Sequence, residues 1–327
     1  MNIAIVGATG LVGRKMIDVL GERNFSAQHV YLFASEKSAG RSLYALGKRR
    51  KVCVLTPDSP RGKKIDIALF SAGKAVSLMF APIFVEHGAV VIDNSSAFRM
   101  QKGVPLVVPE VNPEDIPTHR GIIANPNCST IQAAVVLKAL DDYKKIKRVS
   151  FTTFQAVSGA GQKGVEDLKK GMRGEVNQKF PRQIFSNCIP QVDDFGANGY
   201  TFEEDKMINE TRKILHHPRL AVTATCVRVP VFNCHSEVVN VEFSERVDID
   251  YIEKILASSR GIRFYKEGYP TALDADGSDS VFVGRLRRDY SVESGVTFWC
   301  VADNLRKGAA ANAVQIAEIV AKLSNNR

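Results

Sequence analysis

The sequence predicts an α/β protein with a doubly wound N-terminal domain and a second, α+β domain built on a mostly antiparallel sheet. Three observations carry this reading. The chain has 327 residues and 45% apolar content, enough for two packed cores. Its first hundred residues set short, continuous apolar runs at βαβ spacing, the pattern of a parallel sheet covered on both faces. Farther along, the strand patterns alternate instead, over 221–231 and 236–247, as half-buried antiparallel strands do.

Taken in order, Ile3, Ile5 and Val6 form a buried strand, and "GATGLVG" follows with glycines at 7, 10 and 13. Leu11, Val12, Met16, Ile17, Val19 and Leu20 then give a helix its inward face. A strand, a Gly-rich turn and a helix N-terminus together can hold a pyrophosphate on free backbone amides. The spacing Gly-x-x-Gly-x-x-Gly departs from the commoner dinucleotide fingerprint, and a purely structural tight turn is the alternative. Further strands are expected at 29–35, 52–55, 66–73 and 89–95. The second of the domain's strands ends in "SEKSAGR", where an NAD site places a carboxylate against the ribose hydroxyls. Glu36 could serve, but Ser35, Lys37, Ser38 and Arg41 surround it with donors and positive charge that suit a 2′-phosphate, so NADP is the cofactor expected.

Composition narrows the classes. The formal charge of +9 is scattered, and the densest basic string, "GKRRK" at 47–51, lacks interleaved aromatics and reads as a solvated turn, not a nucleic-acid patch. No apolar run approaches the ~18 residues that span a bilayer. The first residues carry no leading positive charge, so they do not read as a signal peptide. Six cysteines, at 53, 128, 188, 226, 234 and 300, show no metal-type pairing and read as reduced thiols, with the cytoplasm as the expected compartment and no metal site.

One of these thiols stands apart. In "NPNCSTIQ", Cys128 lies where a polar loop meets a helical pattern carrying Ile131, Val135 and Leu140. Asn127 is the expected N-cap, and Pro126 fixes the approach. A cysteine at the positive end of a helix is stabilised as thiolate and so becomes a nucleophile. Cys53, Cys226 and Cys300 sit in apolar strands and read as buried and inert. Among six histidines, His235 is singled out by its place between two alternating strands in "RVPVFNCHSE". His216 and His217 end a helix before Pro218, and His29, His87 and His119 flank elements without an acid or nucleophile motif.

With Cys128 and His235 placed, the chain resembles the aspartate-β-semialdehyde dehydrogenase family over nearly its full length. The resemblance rests on "GATGLVG", "FASEKSAG", "DNSSAFRM", "VVPEVNP", "NPNCSTIQ", "FQAVSGAG", "EEDKM", "CVRVPV", "CHSE", "FVGRLRRD" and "DNLRKGAAANAVQIAE", in that order. It implies NADPH-dependent, reversible reduction of β-aspartyl phosphate to the semialdehyde with release of phosphate. That step lies on the route to lysine, threonine, methionine and, in bacteria, diaminopimelate. Carried over by motif, Cys128 would hold the acyl group as a thioester, His235 would act as acid/base and Gln155 would orient the substrate. Arg228 would grip the α-carboxylate, Glu203 the α-ammonium, and Lys206 with Arg99 the phosphate. Cofactor contacts would come from Thr9, Gly10, Leu11, Val12, Lys37, Ser38, Ser71, Ala72, Gly73, Ser158, Gly159 and Asn304.

Two departures from the family pattern stand out. Cys234 occupies the position before the histidine where Gly is usual, which demands ordinary φ/ψ or local strain. Lys37 stands where Arg is common, keeping the charge but losing the fork. The resemblance also implies a homodimer or homotetramer built on the second domain. The expected domain limits are 1–127 with 304–327 for the dinucleotide domain, which the C-terminal helix completes, and 128–303 for the catalytic and dimerisation domain. Two rival readings are an N-acetyl-γ-glutamyl-phosphate reductase, whose uncharged substrate amine gives Glu203 little purpose, and an inactive nucleotide-sensing protein, which should lack the nucleophile or the acid/base.

Overall fold

The computed structural model describes residues 1–325 and divides the chain into two compact units. The first unit comprises residues 1–126 and the chain from 309 onward. Its elements are β1 (Asn2–Val6), α1 (Leu11–Glu22), β2 (His29–Ala34), β3 (Ser42–Ala45), β4 (Lys48–Val54), β5 (Ile67–Phe70), α2 (Lys74–Glu86), β6 (Val90–Asp93) and β7 (Ile122–Ala124). They form a seven-stranded sheet in the order β3-β4-β2-β1-β5-β6-β7, parallel throughout except where β3 pairs antiparallel with β4. The strand order reverses beside β1, as in a doubly wound sheet, and that is where such folds bind ligands.

Two glycines of the first turn are there for close approach. A Cβ on Gly7, which has φ 84°, would lie 2.3 Å from the Ser71 carbonyl oxygen, and one on Gly13 would lie 2.2 Å from that of Gly7. The 7-10-13 spacing therefore lets α1 start hard against the end of β1. The apolar face of α1, with Met16, Val19 and Leu20, closes over Ile3, Ile5 and Leu32 in one core.

The basic string at 47–51 corrects the sequence reading. It is not a turn but most of β4, joined to β3 by Leu46 and Gly47 at φ 49° and 73°, the two left-handed residues of a tight hairpin. Only Val52 of β4 is fully buried, so the lysines and arginines solvate an open face one strand in from the edge strand β3. Cys53 lies on that open face and is exposed, not buried as its apolar neighbours imply.

The second unit is contiguous, residues 127–308. It contains α3 (Cys128–Tyr143), β8 (Ile146–Gln155), α4 (Gln162–Met172), α5 (Phe202–Ile214), β9 (Ala221–Arg228), β10 (His235–Phe243), α6 (Ile249–Ser258), β11 (Ile262–Phe264), α7 (Ala272–Ala275), β12 (Val281–Arg288) and β13 (Gly295–Ala302). The sheet order is β11-β12-β13-β10-β8-β9, antiparallel across its middle, with parallel pairs at each end. The two alternating strands of the sequence are thus not neighbours, because β8 runs between them. His235 begins β10 instead of standing in the loop before it. On α3, Ile131, Val135 and Leu140 are buried as their spacing requires.

The C-terminal helix starts later than 308. A π-helical turn spans Arg306–Ala310, and α8 (Ala311–Asn325) follows, burying Val314, Ile316 and Val320 in the core of the first unit. No helix among the described residues is long and apolar enough to cross a membrane.

Candidate active site

Asn127 builds the start of α3. Its side-chain oxygen accepts from the Ser129 and Thr130 amides at 3.0 and 3.2 Å, which satisfies two of the helix's unpaired donors. Cys128 is therefore the first helical residue, half-buried, at the positive end of the helix dipole. Gly308 lies against it: a Cβ there would come within 2.9 Å of the Cys128 Cβ. Of these two supports, Asn127 is legible in the sequence as a cap and Gly308 is not.

The same Asn127 reaches the charged residues. Its Nδ2 donates to Glu203 Oε1 at 2.8 Å, while its backbone amide donates to Glu210 Oε2 at 2.6 Å. Gln155, buried at the end of β8, donates to Glu203 Oε1 at 3.2 Å and to Thr153 Oγ1 at 3.3 Å. Lys206, one turn along α5 from Glu203, bridges Glu203 Oε2 at 3.0 Å and Asp193 Oδ2 at 2.8 Å. Burial works to raise the Glu203 carboxyl, but Lys206, the Asn127 amide and Arg228 outweigh it and hold its pKa down to about 2. Burial likewise works against the charge on Lys206, and Glu203 with Asp193 overcomes it, so its pKa is raised.

Arg228 ends β9, is 6% exposed, and donates from Nη1 to the Ala156 carbonyl at 2.7 Å. Its guanidinium also lies over the Phe180 ring at 5.9 Å. Burial lowers its pKa, an effect opposed by the negative charges of Glu203 and of Cys128 as thiolate. So Cys128, singled out in the sequence, and Gln155, Glu203, Lys206 and Arg228, which the family resemblance implies, converge within one unit. Glu210 and Asp193 join them, and neither carries a motif that would have marked it.

His235 is fully buried, and its Nδ1 accepts from the Ala156 amide at 3.0 Å. That bond assigns the neutral tautomer with the proton on Nε2, a nitrogen without a protein partner among the described residues. Burial, reinforced by the Arg228 charge, pushes its pKa down to about 3, so the resting imidazole is neutral. Gly159 sits over both groups: a Cβ there would lie 2.9 Å from Arg228 Nη1 and 3.0 Å from His235 Nε2. Asn304 exchanges hydrogen bonds with Ser158 at 2.9 to 3.2 Å and accepts from the Cys234 amide at 2.9 Å. Ser158, Gly159 and Asn304 are thus grouped around His235. Cys234 adopts φ 72°, so of the two alternatives, ordinary φ/ψ or local strain, the second is present, and its side chain is buried against Ala275, Phe282 and Val301.

In the first unit a cavity of about 750 Å³ is lined by Thr9, Gly10, Glu36, Lys37, Ser71 and Ala72, among others. Leu11, Val12, Ser38 and Gly73 are not part of that lining. Leu11 and Val12 open α1, and Gly73 caps α2 with φ 88°. The first turn of α1 holds no acid and no side-chain cap, which leaves its amides available to a phosphate. These features fit a dinucleotide. Arg99 belongs to this unit too, where it donates to the carbonyls of Asn125 and Asn94 at 3.0 Å each.

The class of protein follows from two family models. "Semialdehyde dehydrogenase, NAD binding domain" matches residues 2–119, and "Semialdehyde dehydrogenase, dimerisation domain" matches residues 137–307. A curated relative, the aspartate-semialdehyde dehydrogenase of Aquifex aeolicus, is 50% identical over 98% of both chains. The crystal structure of aspartate semialdehyde dehydrogenase II from Vibrio cholerae complexed with ASA is 48% identical, covers 98% of both chains and superposes with a TM-score of 0.93. That of the Candida albicans enzyme with NADP is 26% identical over 98% of both chains, with a TM-score of 0.77. The chain belongs to the aspartate-semialdehyde dehydrogenase family. Its N-terminal unit is an NAD(P)-binding domain of the doubly wound type and its second unit the family's dimerisation domain.

Proposed function

We propose that this enzyme catalyses the reversible, NADPH-dependent reductive dephosphorylation of β-aspartyl phosphate to aspartate β-semialdehyde through a thioester on Cys128. The observation that carries this reading is the convergence, within one unit, of a cysteine at a capped helix N-terminus with a buried pair of opposite charges, Arg228 and Glu203. An acyl phosphate with a free amino-acid head needs all three.

In the proposed sequence the Cys128 thiolate attacks the acyl carbon, the C–O bond to phosphate breaks and inorganic phosphate leaves, stabilised by the charge of Lys206. Covalent capture divides one difficult acyl reduction into two easier steps. Bound NADPH supplies the hydride for the second step. His235 serves the proton chemistry through its Nε2–H, which hydrogen-bonds to the acyl oxygen as negative charge builds there and keeps its proton as the C–S bond breaks and the oxygen re-forms the aldehyde carbonyl. Gln155 orients the acyl group beside the thiol. The products are the semialdehyde and a free thiolate.

Arg228 reads the α-carboxylate through its planar fork, and Glu203 reads the α-ammonium. Substrate must then compete with Lys206 for Glu203. Removing the guanidinium would leave a desolvated substrate anion without its partner, a loss on the scale of ~2–5 kcal/mol. Arg228→Leu should therefore lower kcat/KM by at least ~30-fold. Glu203→Gln should harm aspartate semialdehyde more than its N-acetyl analogue, and kcat/KM for both substrates in parent and mutant would show it. An unchanged ratio would remove Glu203 from ammonium recognition. The N-acetylated rival substrate is disfavoured for the same reason.

Lys37 lines the cavity of the first unit, and its charge suits a 2′-phosphate. Oxidation of aspartate semialdehyde should require phosphate and should run better with NADP than with NAD. Lys37→Ala should weaken NADP much more than NAD, and equal losses would place Lys37 away from the ribose. The dimerisation-domain match supports a homodimer, and the biosynthetic role supports a cytoplasmic enzyme supplying lysine, threonine, methionine and diaminopimelate.

A further inference from the structure

Strand β10 buries alternate residues: His235, Glu237, Val239, Val241 and Phe243. Four of these suit their places as core or site residues, but Glu237 sets a carboxyl where the alternation calls for another aliphatic side chain. It is 0% exposed. Cys300, its register partner on β13, lies with Sγ 3.9 Å from Oε2. Ser129, in the first turn of α3, lies beside the carboxyl. Gln132, one turn farther along the same helix face, donates from Nε2 to the His235 carbonyl at 3.3 Å and to Cys300 Sγ at 3.8 Å. The cluster thus touches the helix that begins at Cys128 and the strand that begins at His235.

We propose that Glu237 is a positioning residue for the cysteine–histidine pair, its carboxyl group tying the first turn of α3 to the start of β10. Burial, with the Glu203 charge acting in the same direction, keeps the proton on Glu237 well above the ordinary carboxylate range. An ionised carboxylate here would be a buried charge without a paired cation, which is strongly unfavourable. A protonated one can donate as well as accept. Glu237 Oε1, Ser129 Oγ and Gln132 Oε1 each have no partner of full hydrogen-bond geometry among the described residues. A donor that settles among them pins the helix, whereas a valine would fill the volume and satisfy none of them.

This inference rests on the roles proposed for Cys128 and His235. The test measures kcat and KM for semialdehyde oxidation in Glu237→Gln, Glu237→Asp and Glu237→Leu, with Cys128→Ser alongside. Glutamine is uncharged, of the same length, and both donates and accepts, so it should stay within ~3-fold of the parent. Aspartate withdraws the carboxyl by a methylene and leucine deletes its polarity, so both should lose ~10–100-fold in kcat, the cost of ångström-scale misplacement, while KM changes little. A leucine variant with parental kcat, or a glutamine variant as poor as the leucine one, would overturn the proposal. If the leucine variant does not fold, glutamine against aspartate decides in the same way: aspartate equal to parent, or glutamine worse than aspartate, overturns it. Activity retained in Cys128→Ser would instead remove the thioester reading, independently of Glu237.

Discussion

Cys128→Ser should fold, bind NADP and lose ~10³-fold or more in turnover, because an alkoxide is far harder to generate at neutral pH than a thiolate. The exchange of sulfur for oxygen is nearly isosteric, and Asn127, not Cys128, caps the helix, so α3 should be unaffected. The closeness of Gly308 to the Cys128 Cβ is likewise undisturbed. Single-turnover experiments with aspartate semialdehyde, phosphate and NADP would check this, together with cofactor titration to show that binding survives. Turnover within ten-fold of the parent would end the assignment of Cys128 as nucleophile.

His235→Asn should lower kcat by ~10²–10⁴-fold while leaving KM nearly unchanged. Asparagine can still accept the Ala156 amide through Oδ1, so the local fold keeps the bond made at 3.0 Å. What disappears is the Nε2–H, the group left free to meet substrate. A loss confined to KM would make His235 a binding residue and send the search for the proton carrier elsewhere. The same substitution has a second signature. The folded pKa of about 3 lies below the ordinary histidine value, so the unfolded chain binds more protons as pH falls through that window. The parent therefore loses stability between about pH 6.5 and 3 on account of this residue, and unfolding curves of His235→Asn should be flatter there.

Cys128 is legible as a candidate nucleophile because its surroundings break a habit. Cys128 stands among cap-forming residues at the head of a helical pattern, whereas Cys226 and Cys300 sit in buried strands where an inert thiol is at home. Cys53 shows the limit of that reasoning: apolar neighbours cannot tell an interior strand from one near a sheet edge, because exposure is decided by which strands lie outside it. For the same reason the basic string at 47–51 looks like a turn in the sequence. Its alternation is carried by long side chains that look alike on both faces, and only the Leu46–Gly47 reversal and the pairing with β3 make it a strand.

The supporting residues leave little trace in the sequence. Asp193, Glu210 and Glu237 act through contacts with residues 13, 83 and 108 positions distant, at Lys206, Asn127 and Ser129, and no local pattern encodes such pairings. Glu237 did leave a trace, since a carboxylate in phase with Val239 and Val241 is out of place on a buried face. The strain at Cys234 could be anticipated only because the family resemblance made the absence of a glycine visible.

The sequence order of the two units bears on how the chain acquires its structure during synthesis. The core of the first unit includes Val314, Ile316 and Val320 from α8, residues made only after the whole 127–308 segment. A growing chain therefore completes the contiguous second unit before it holds all the side chains that cover β1 and α1. Until α8 emerges, Val19, Leu20 and their neighbours lack part of their apolar cover, and that half-built sheet is the stage at which chaperone contact would matter most.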